Sequence, residues 1–217
     1  MTTTNQSWLT SDEQERGVRR NRALTEAMKV TNKSPGEPVF SVFTVVTADE
    51  ADVPQMYDVE IRSLIDDVNT CACPDFDKNG LGTCKHIEKV LLDLRRTKAG
   101  RAALKNGGVS SCLEVCVQQP ERQPIVVIPD SADEATRSWI NRFIDARHQL
   151  RSPWEATLPV FLREFRNAKP DITAQIRVSS AIYHLASAVE RRRRLEQSRN
   201  EFAEGFRQQQ QARNFLR

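Results

Sequence analysis

Several features that would assign a protein to a well-known class are missing from this sequence. Its 217 residues contain no run of about 20 apolar residues, the length that a helix needs to cross a bilayer. The N-terminus does not begin with basic residues followed by an apolar stretch, so a secretory signal is not expected. The chain is therefore expected to be cytoplasmic.

Phosphate-binding and nucleophile motifs are missing as well. The eight glycines never form the pattern G-x-x-x-x-G-K-S/T that cradles a nucleotide phosphate. The pattern G-x-S-x-G that presents a nucleophilic serine is also absent. We therefore expect no catalytic residue, no ATPase and no small-molecule substrate site within this chain.

Charge of one sign is in only slight excess. Lys and Arg total 32 against 29 for Asp and Glu, a net charge of +3, so the overall balance does not predict nucleic-acid binding. Hydrophobic residues make up 39% of the chain, which is enough for a core and too much for a wholly disordered protein.

The hydrophobic pattern predicts an α+β fold, without the regular βαβ order of a doubly wound sheet. Residues 11–30 are helical in composition, and residues 39–46 and 56–61 predict two strands that pair as a hairpin. Ile87, Val90, Leu91 and Leu94 fall on one face of a helix. Later elements are predicted as strands at 110–117 and 124–128, a helix that starts at a capping box of Ser131 and Glu134 and runs through Ile144, a helix around Phe161, a short strand at 172–178 and one long helix from Ser180.

These elements divide the chain into four segments. They are an N-terminal helix and linker (1–37), a central module (38–106), a small α+β region (107–179) and a long charged C-terminal helix (180–217).

Cysteine is sparse, and its five copies are unevenly placed. An odd count and the absence of an export signal argue against a disulfide framework. Cys112 and Cys116 fall on a predicted strand and are expected to pack as small hydrophobes. The other three stand with a histidine in the pattern C-x-C, ten residues, C-x-H, formed by Cys71, Cys73, Cys84 and His86.

This spacing predicts a metal site. In an extended backbone, Cys71 and Cys73 project from the same face, and the turn-forming residues 77–82 can bring the second pair back to them. Cys84 and His86 open the helix described above. Three thiolates and one imidazole match a closed tetrahedral zinc site, which is structural because it leaves no position for water or substrate. Buried cysteines with a core histidine, or a redox pair, are the alternatives.

The same residues resemble a SWIM-type zinc finger. The resemblance lies in C-x-C-P-x-F, a variable loop and C-K-H-I before an amphipathic helix, and it covers about residues 55–96. It implies a zinc-stabilised ββα module with the four ligands above, with Pro74, Phe76 and Ile87 at accessory turn and packing positions. The layout of the whole chain is similar to the region N-terminal to the ATPase core of bacterial remodeller-like superfamily II helicases, which implies DNA or protein binding.

Charge placement favours the module's helix as a nucleic-acid contact. Residues 78–105 carry a net charge of +6, whereas residues 49–67 carry −6. A basic face can attract phosphate backbones, and the candidate contacts are Lys85, Lys89, Arg95 and Arg96. An ordinary solvated helix face is the alternative.

The C-terminal segment supports a second hypothesis. It contains a run of four arginines, 191–194, and a broken apolar stripe that is too irregular for a coiled coil. Phe202, Phe206 and Phe215 in this polar segment suggest a surface that needs a partner or a further domain. The chain is accordingly interpreted as an accessory region or subunit of a helicase-type ATPase, or as a protein-interaction adaptor that uses the zinc finger and the final helix.

Overall fold

The computed structural model describes the backbone of residues 11–47, 54–119 and 121–215, with side chains up to residue 208. The fold is mixed α+β and ends in a long helix. In chain order its elements are α1 (Asp12–Thr25), β1 (Met28–Asn32), β2 (Val42–Thr47), β3 (Gln55–Glu60), β4 (Thr70–Cys71), α2 (Pro74–Asn79), α3 (Lys85–Arg96), α4 (Lys98–Lys105), β5 (Leu113–Gln118), β6 (Gln123–Val127), α5 (Glu134–Ile140), α6 (Trp154–Arg166), α7 (Pro170–Thr173), β7 (Ile176–Val178) and α8 (Ser180–Phe215).

The first core forms around a four-stranded sheet of order β1-β2-β3-β4, in which every neighbouring pair is antiparallel. Strand β2 alternates between buried and half-buried residues, so one face of the sheet is available for packing. The apolar face of α3 covers that sheet and fully buries Ile87 and Val90. The predicted hairpin of β2 and β3 and the predicted apolar face of α3 are both confirmed.

The second core forms around a three-stranded sheet of order β6-β5-β7, in which β7 runs parallel to β5. Helices α5, α6 and the start of α8 cover it, and four rings from Trp139, Phe143, Phe161 and Phe165 pack together there. Ile182 of α8 is fully buried in this core, so the long helix is anchored by its first turns.

A buried group of charges joins the two sheets. Glu60, the last residue of β3, accepts hydrogen bonds from the Ser179 hydroxyl and the Ser180 amide at the start of α8. Arg62 lies 3.4 Å from carboxylate oxygens of both Glu60 and Glu114, and Glu114 is on β5. The carboxylates offset the cost of burying the guanidinium, and the group ties the first sheet to the second.

Two predicted helices are wrong in their bounds. The predicted helix over 11–30 ends at Thr25, and β1 follows, because residues 28–32 pair with β2. The predicted capping box at Ser131 and Glu134 does not form: Asp133 is the N-cap, and Ser131 donates to the Ser111 carbonyl instead. That helix ends at Ile140, and Phe143 and Ile144 reach the core from the turn that follows.

Two short elements also differ from the prediction. The turn predicted between the two ligand pairs contains a short helix, α2. The strand predicted at 172–178 begins only at Ile176, because residues 170–173 form α7. Among the described residues, every helix is too short or too polar to span a bilayer.

Candidate metal centre

The four predicted ligands lie at the ends of short elements of the first core. Cys71 is the last residue of β4, and Cys73 is the N-cap of α2. Cys84 is the N-cap of α3, and His86 is in the first turn of that helix. Pro74, with its fixed φ, begins α2 directly after Cys73, which explains why the chain turns there. Strand β4 and two helix starts therefore converge on one point.

The donor atoms form one compact, buried cluster. One ligand atom from each of the four residues lies within 4.8 Å of all the others. His86 Nδ1 is 3.7 Å from Cys71 Sγ and 3.9 Å from Cys84 Sγ. All four side chains are buried, and Cys84 is fully so.

These distances fit a tetrahedral metal. Zinc–sulfur bonds of about 2.3 Å and zinc–nitrogen bonds of about 2.0–2.1 Å give a sulfur–nitrogen edge of roughly 3.6 Å in a tetrahedron. The two observed sulfur–nitrogen distances are 3.7 and 3.9 Å. Nδ1 is the imidazole atom that faces the thiols, so it is the atom that would ligate a metal. The arrangement can hold one ion.

The pKa shifts of the three thiols also fit a site for a cation. Hydrogen bonds from the Cys71 and Cys84 thiols lower the pKa of Cys73 well below its ordinary value. Donating to Cys73 raises the pKa of Cys71 to about 12, and burial raises that of Cys84 well above its ordinary value. Burial and the hydrogen bonds among the three thiols thus shift their pKa values in opposite directions. A divalent cation supplies the charge that allows all three to ionise.

Neighbouring residues hold the cluster in place. The Phe76 amide donates to Cys73 Sγ at 3.4 Å, and the Phe76 ring is buried in the first core. The Tyr57 ring packs on His86 with centroids 4.8 Å apart. His86 Nε2 is buried and has no hydrogen-bond partner among the described residues. Ile87 is buried in the first core as well. The sequence places Tyr57 in a predicted strand but does not indicate its contact with His86.

Helix α1 forms ion pairs with residues of the first core that lie near the cluster. Arg19 binds Asp75 of α2 through two hydrogen bonds, and Arg16 binds Asp67 in the same two-pronged way. Arg20 lies 3.5 Å from Glu88, a buried residue of α3. The sequence did not predict these ion pairs, because Asp67, Asp75 and Glu88 lie 51 or more residues from their partners along the chain.

The four predicted nucleic-acid contacts fall into two pairs. Lys85 pairs with Glu26, which follows α1, and Lys89 pairs with Asp93 on its own helix at 3.0 Å. Their side chains are only about one-fifth exposed, at 19% and 20%. Arg95 and Arg96 are exposed at the end of α3, and neither pairs with a carboxylate of the described residues. Asp49, Glu50 and Asp52 of the predicted acidic segment lie outside the described residues.

Comparison of the chain with models of protein families, with curated proteins and with solved structures finds no match.

Proposed function

We propose that this chain is a non-catalytic zinc-binding module that binds nucleic acid as an accessory region of a helicase-type ATPase. The observation that carries the proposal is the buried Cys₃His cluster at the start of α3, together with the free cations at the end of the same helix. The resemblance of the ligand pattern to a SWIM-type finger adds to it. Four soft or borderline donors favour zinc over hard cations, and a four-coordinate site has no open position for catalysis.

The cations that fit a phosphate backbone lie in residues 95–105. That segment carries five basic residues and no acidic one, and all five are exposed: Arg95, Arg96, Lys98, Arg101 and Lys105. Such cations bind phosphates without reading sequence, so the binding is expected to be non-specific and salt-dependent. Lys85 and Lys89 are less available to phosphates, because Lys85 pairs with Glu26 and Lys89 pairs with Asp93.

A salt titration of DNA binding tests the proposal. The affinity of the zinc-loaded chain is measured from 50 to about 300 mM salt for the wild type and for Arg95→Gln/Arg96→Gln/Arg101→Gln. Loss of three phosphate contacts is expected to lower the slope of log K against log salt by about 2.7. The control is Arg147→Gln/Arg163→Gln/Lys169→Gln. It removes the same number of charges from exposed residues on the elements around the second core. Equal binding by the wild type and the first variant would overturn the proposal.

One observation favours a second candidate, a protein-interaction adaptor. Large apolar side chains of α8 stand in solvent, with Phe202 79% and Phe206 55% exposed. The Phe215 side chain lies outside the described residues. If the adaptor function is correct, a partner captured by the full chain is lost when α8 is shortened after Val189, since the side chains of residues 190–208 are all exposed. Retention of the partner by the shortened chain would exclude docking through α8.

A further inference from the structure

The part of α8 that follows Val189 has two faces of different chemistry. Its residues 190–208 are all exposed, and Leu195, Phe202 and Phe206 are 66%, 79% and 55% exposed. Separations of seven and four residues place these three side chains in one line along the helix, the α8 stripe. An exposed apolar stripe in a charged helix is a surface that a ligand or partner can cover.

Positive charge lies beside the α8 stripe, and negative charge lies away from it. At about 100° of rotation per residue, three arginines fall within about 60° of the centre of the stripe: Arg191, Arg192 and Arg199. The glutamates of the same part, at positions 190, 196, 201 and 204, all fall about 100° or more from that centre. The face that carries the rings is therefore a basic face.

The contacts of the arginines follow the same division. Away from the stripe, Arg194 pairs with Glu190 at 2.9 Å, and Arg193 and Arg207 donate to backbone carbonyls. Beside the stripe, the three arginines make no ion pair or side-chain hydrogen bond with any residue that the structure describes. The free guanidinium groups and the rings are thus on one side of the helix.

The basic face continues into a cleft beside the Cys₃His cluster. Ala181 and His184 fall on the same side of α8, and both line a cleft of about 820 Å³ that Cys73 and Lys78 of the first core also line. Lys78 is exposed and makes no ion pair within the described part of the chain. From His184 to Phe206 the face is about 33 Å long.

The carboxylates that line the cleft are already engaged. Asp58 pairs with Lys33 at 2.6 Å, and Asp77 lies 3.5 Å from Arg122. Glu60 caps the start of α8. An anionic ligand in the cleft therefore meets no unpaired carboxylate among the lining residues that the structure describes.

We propose that the basic face of α8 and this cleft bind single-stranded nucleic acid, an inference that rests on the proposed function. Free cations recur along the path from Lys78 in the cleft to Arg199 on the helix, which suits a backbone with one negative charge at each nucleotide. Phe202 and Phe206 offer ring faces on which unpaired bases stack, whereas the bases of a duplex already stack on each other. Three apolar residues in twelve form too narrow a stripe to hold the helix in a membrane surface.

Leucine substitution tests the stacking. The zinc-loaded full chain is titrated with oligo(dT) of about 20 nucleotides, and with oligo(U) of the same length to separate DNA from RNA. Phe202→Leu/Phe206→Leu keeps the stripe apolar and helical but removes both ring faces, so we expect it to weaken binding about tenfold or more. Tyr183→Leu is the matched control, because this 47% exposed ring of α8 falls about 120° from the centre of the stripe. Wild-type affinity of the double leucine variant would overturn the proposal and would favour a protein partner, whose groove accepts either apolar side chain.

Glutamine substitution tests the phosphate contacts. Arg191→Gln/Arg192→Gln/Arg199→Gln removes the three free guanidinium groups, and we expect it to lower the slope of log K against log salt for oligo(dT) by about 2.1. The matched control, Arg193→Gln/Arg194→Gln/Arg207→Gln, removes as many arginines from the other side of the same helix and is expected to keep the wild-type slope. Circular dichroism shows whether both variants keep α8. Equal slopes for the two variants would overturn the assignment of this face.

Duplex binding distinguishes a failure of this inference from a failure of the proposed function. The variant of Arg95, Arg96 and Arg101 is expected to weaken duplex binding, whereas Phe202→Leu/Phe206→Leu should leave it at the wild-type level. If the leucine variant keeps oligo(dT) binding while the arginine variant loses duplex binding, the proposed function stands and the role of α8 is excluded. If the arginine variant binds the duplex as the wild type does, the proposed function itself fails.

Discussion

The Ser179 hydroxyl donates a 2.6 Å hydrogen bond to the Glu60 carboxylate, which lies 119 residues earlier in the chain. The same carboxylate accepts the Ser180 amide, so it caps the start of α8. A carboxylate at a helix N-terminus satisfies a free amide and interacts favourably with the helix dipole. This contact joins the sheet that carries the Cys₃His cluster to the long helix.

Removing the charge of Glu60 should therefore loosen the connection between the two cores. We expect Glu60→Gln to lower the free energy of unfolding by about 2 kcal/mol, since a buried charge-assisted hydrogen bond is lost and Arg62 loses a partner. Urea denaturation of purified protein measures the change. Asp58→Asn is the control, because this carboxylate is on the same strand but 47% exposed, and its loss is expected to cost less than about 1 kcal/mol. If both variants lose the same free energy of unfolding, the Glu60 cap stabilises the protein no more than an exposed carboxylate does.

Glu114 makes stability depend on pH near neutrality. The side chain is fully buried, and burial raises its pKa from 4.5 to about 7, although Arg62 and Arg177 lower it. Between pH 4.5 and 7 the folded state keeps a proton that the unfolded state has lost, so the free energy of unfolding falls as the pH rises. Above pH 7 the full cost of the buried charge is present, and it amounts to about 3 kcal/mol.

The comparison of wild type with Glu114→Gln isolates this group. Glutamine cannot ionise, and the metal cluster titrates in both proteins, so the difference between their free energies of unfolding reports Glu114 alone. We expect the variant to gain about 2 kcal/mol relative to wild type between pH 5 and 7.5. Urea denaturation at intervals of half a pH unit gives the two curves. A difference that does not vary with pH would contradict the raised pKa.

The Cys₃His cluster could be predicted from the sequence because its four residues lie within 16 positions and their spacing is local. The face of α3 was predictable for the same reason: a helical period appears within ten residues. Strand β1 could not be predicted, since residues 28–32 follow a helical run and become a strand only by pairing with β2. The Asp133 cap and the contact of Glu60 with Ser179 likewise depend on geometry that a pattern search does not see.

The role of the basic residues could be predicted only in part. The sequence showed the excess of positive charge around α3 but not the packing of α1 against that helix. The structure pairs Lys85 with Glu26 and leaves Arg95 and Arg96 exposed. Whether a cation is free depends on which carboxylates the fold brings near it, and these come from distant parts of the chain.

Loss of one thiol from the cluster should release the metal and unfold the first core locally. We expect Cys73→Ser to reduce bound metal from about one ion per chain to less than 0.1, because three donors no longer close the tetrahedron. Elemental analysis measures the metal, and amide hydrogen exchange in residues 70–96 measures the local unfolding. Cys112→Ser is the control, since this half-buried thiol lies outside the cluster and its loss should change neither reading. A metal-free wild-type chain with protected amides in this region would contradict the metal centre.

Two glycines in helices should respond to alanine with opposite signs. In α1, a Cβ at Gly17 would meet nothing within 4 Å, so Gly17→Ala is expected to stabilise the protein by about 0.5–1 kcal/mol through helix propensity.

In α4, a Cβ at Gly100 would lie 2.1 Å from the Leu94 carbonyl oxygen and 2.7 Å from its carbon. The clash involves backbone and cannot be relieved by a rotamer change, so Gly100→Ala is expected to cost about 2 kcal/mol despite the better propensity of alanine. Urea denaturation of both variants under one set of conditions gives the comparison.

Gly100 also lies among the basic residues of the segment 95–105. Its amide donates to the Thr97 hydroxyl, which donates to the Leu94 carbonyl, so the three residues fix how α4 follows α3. Alanine must push the two helices apart and displace Arg101 relative to Arg95 and Arg96. Gly100→Ala should then weaken DNA binding in the salt titration although no charge is lost, whereas Gly17→Ala should not. A stabilised Gly100→Ala protein would show that α3 and α4 do not approach this closely.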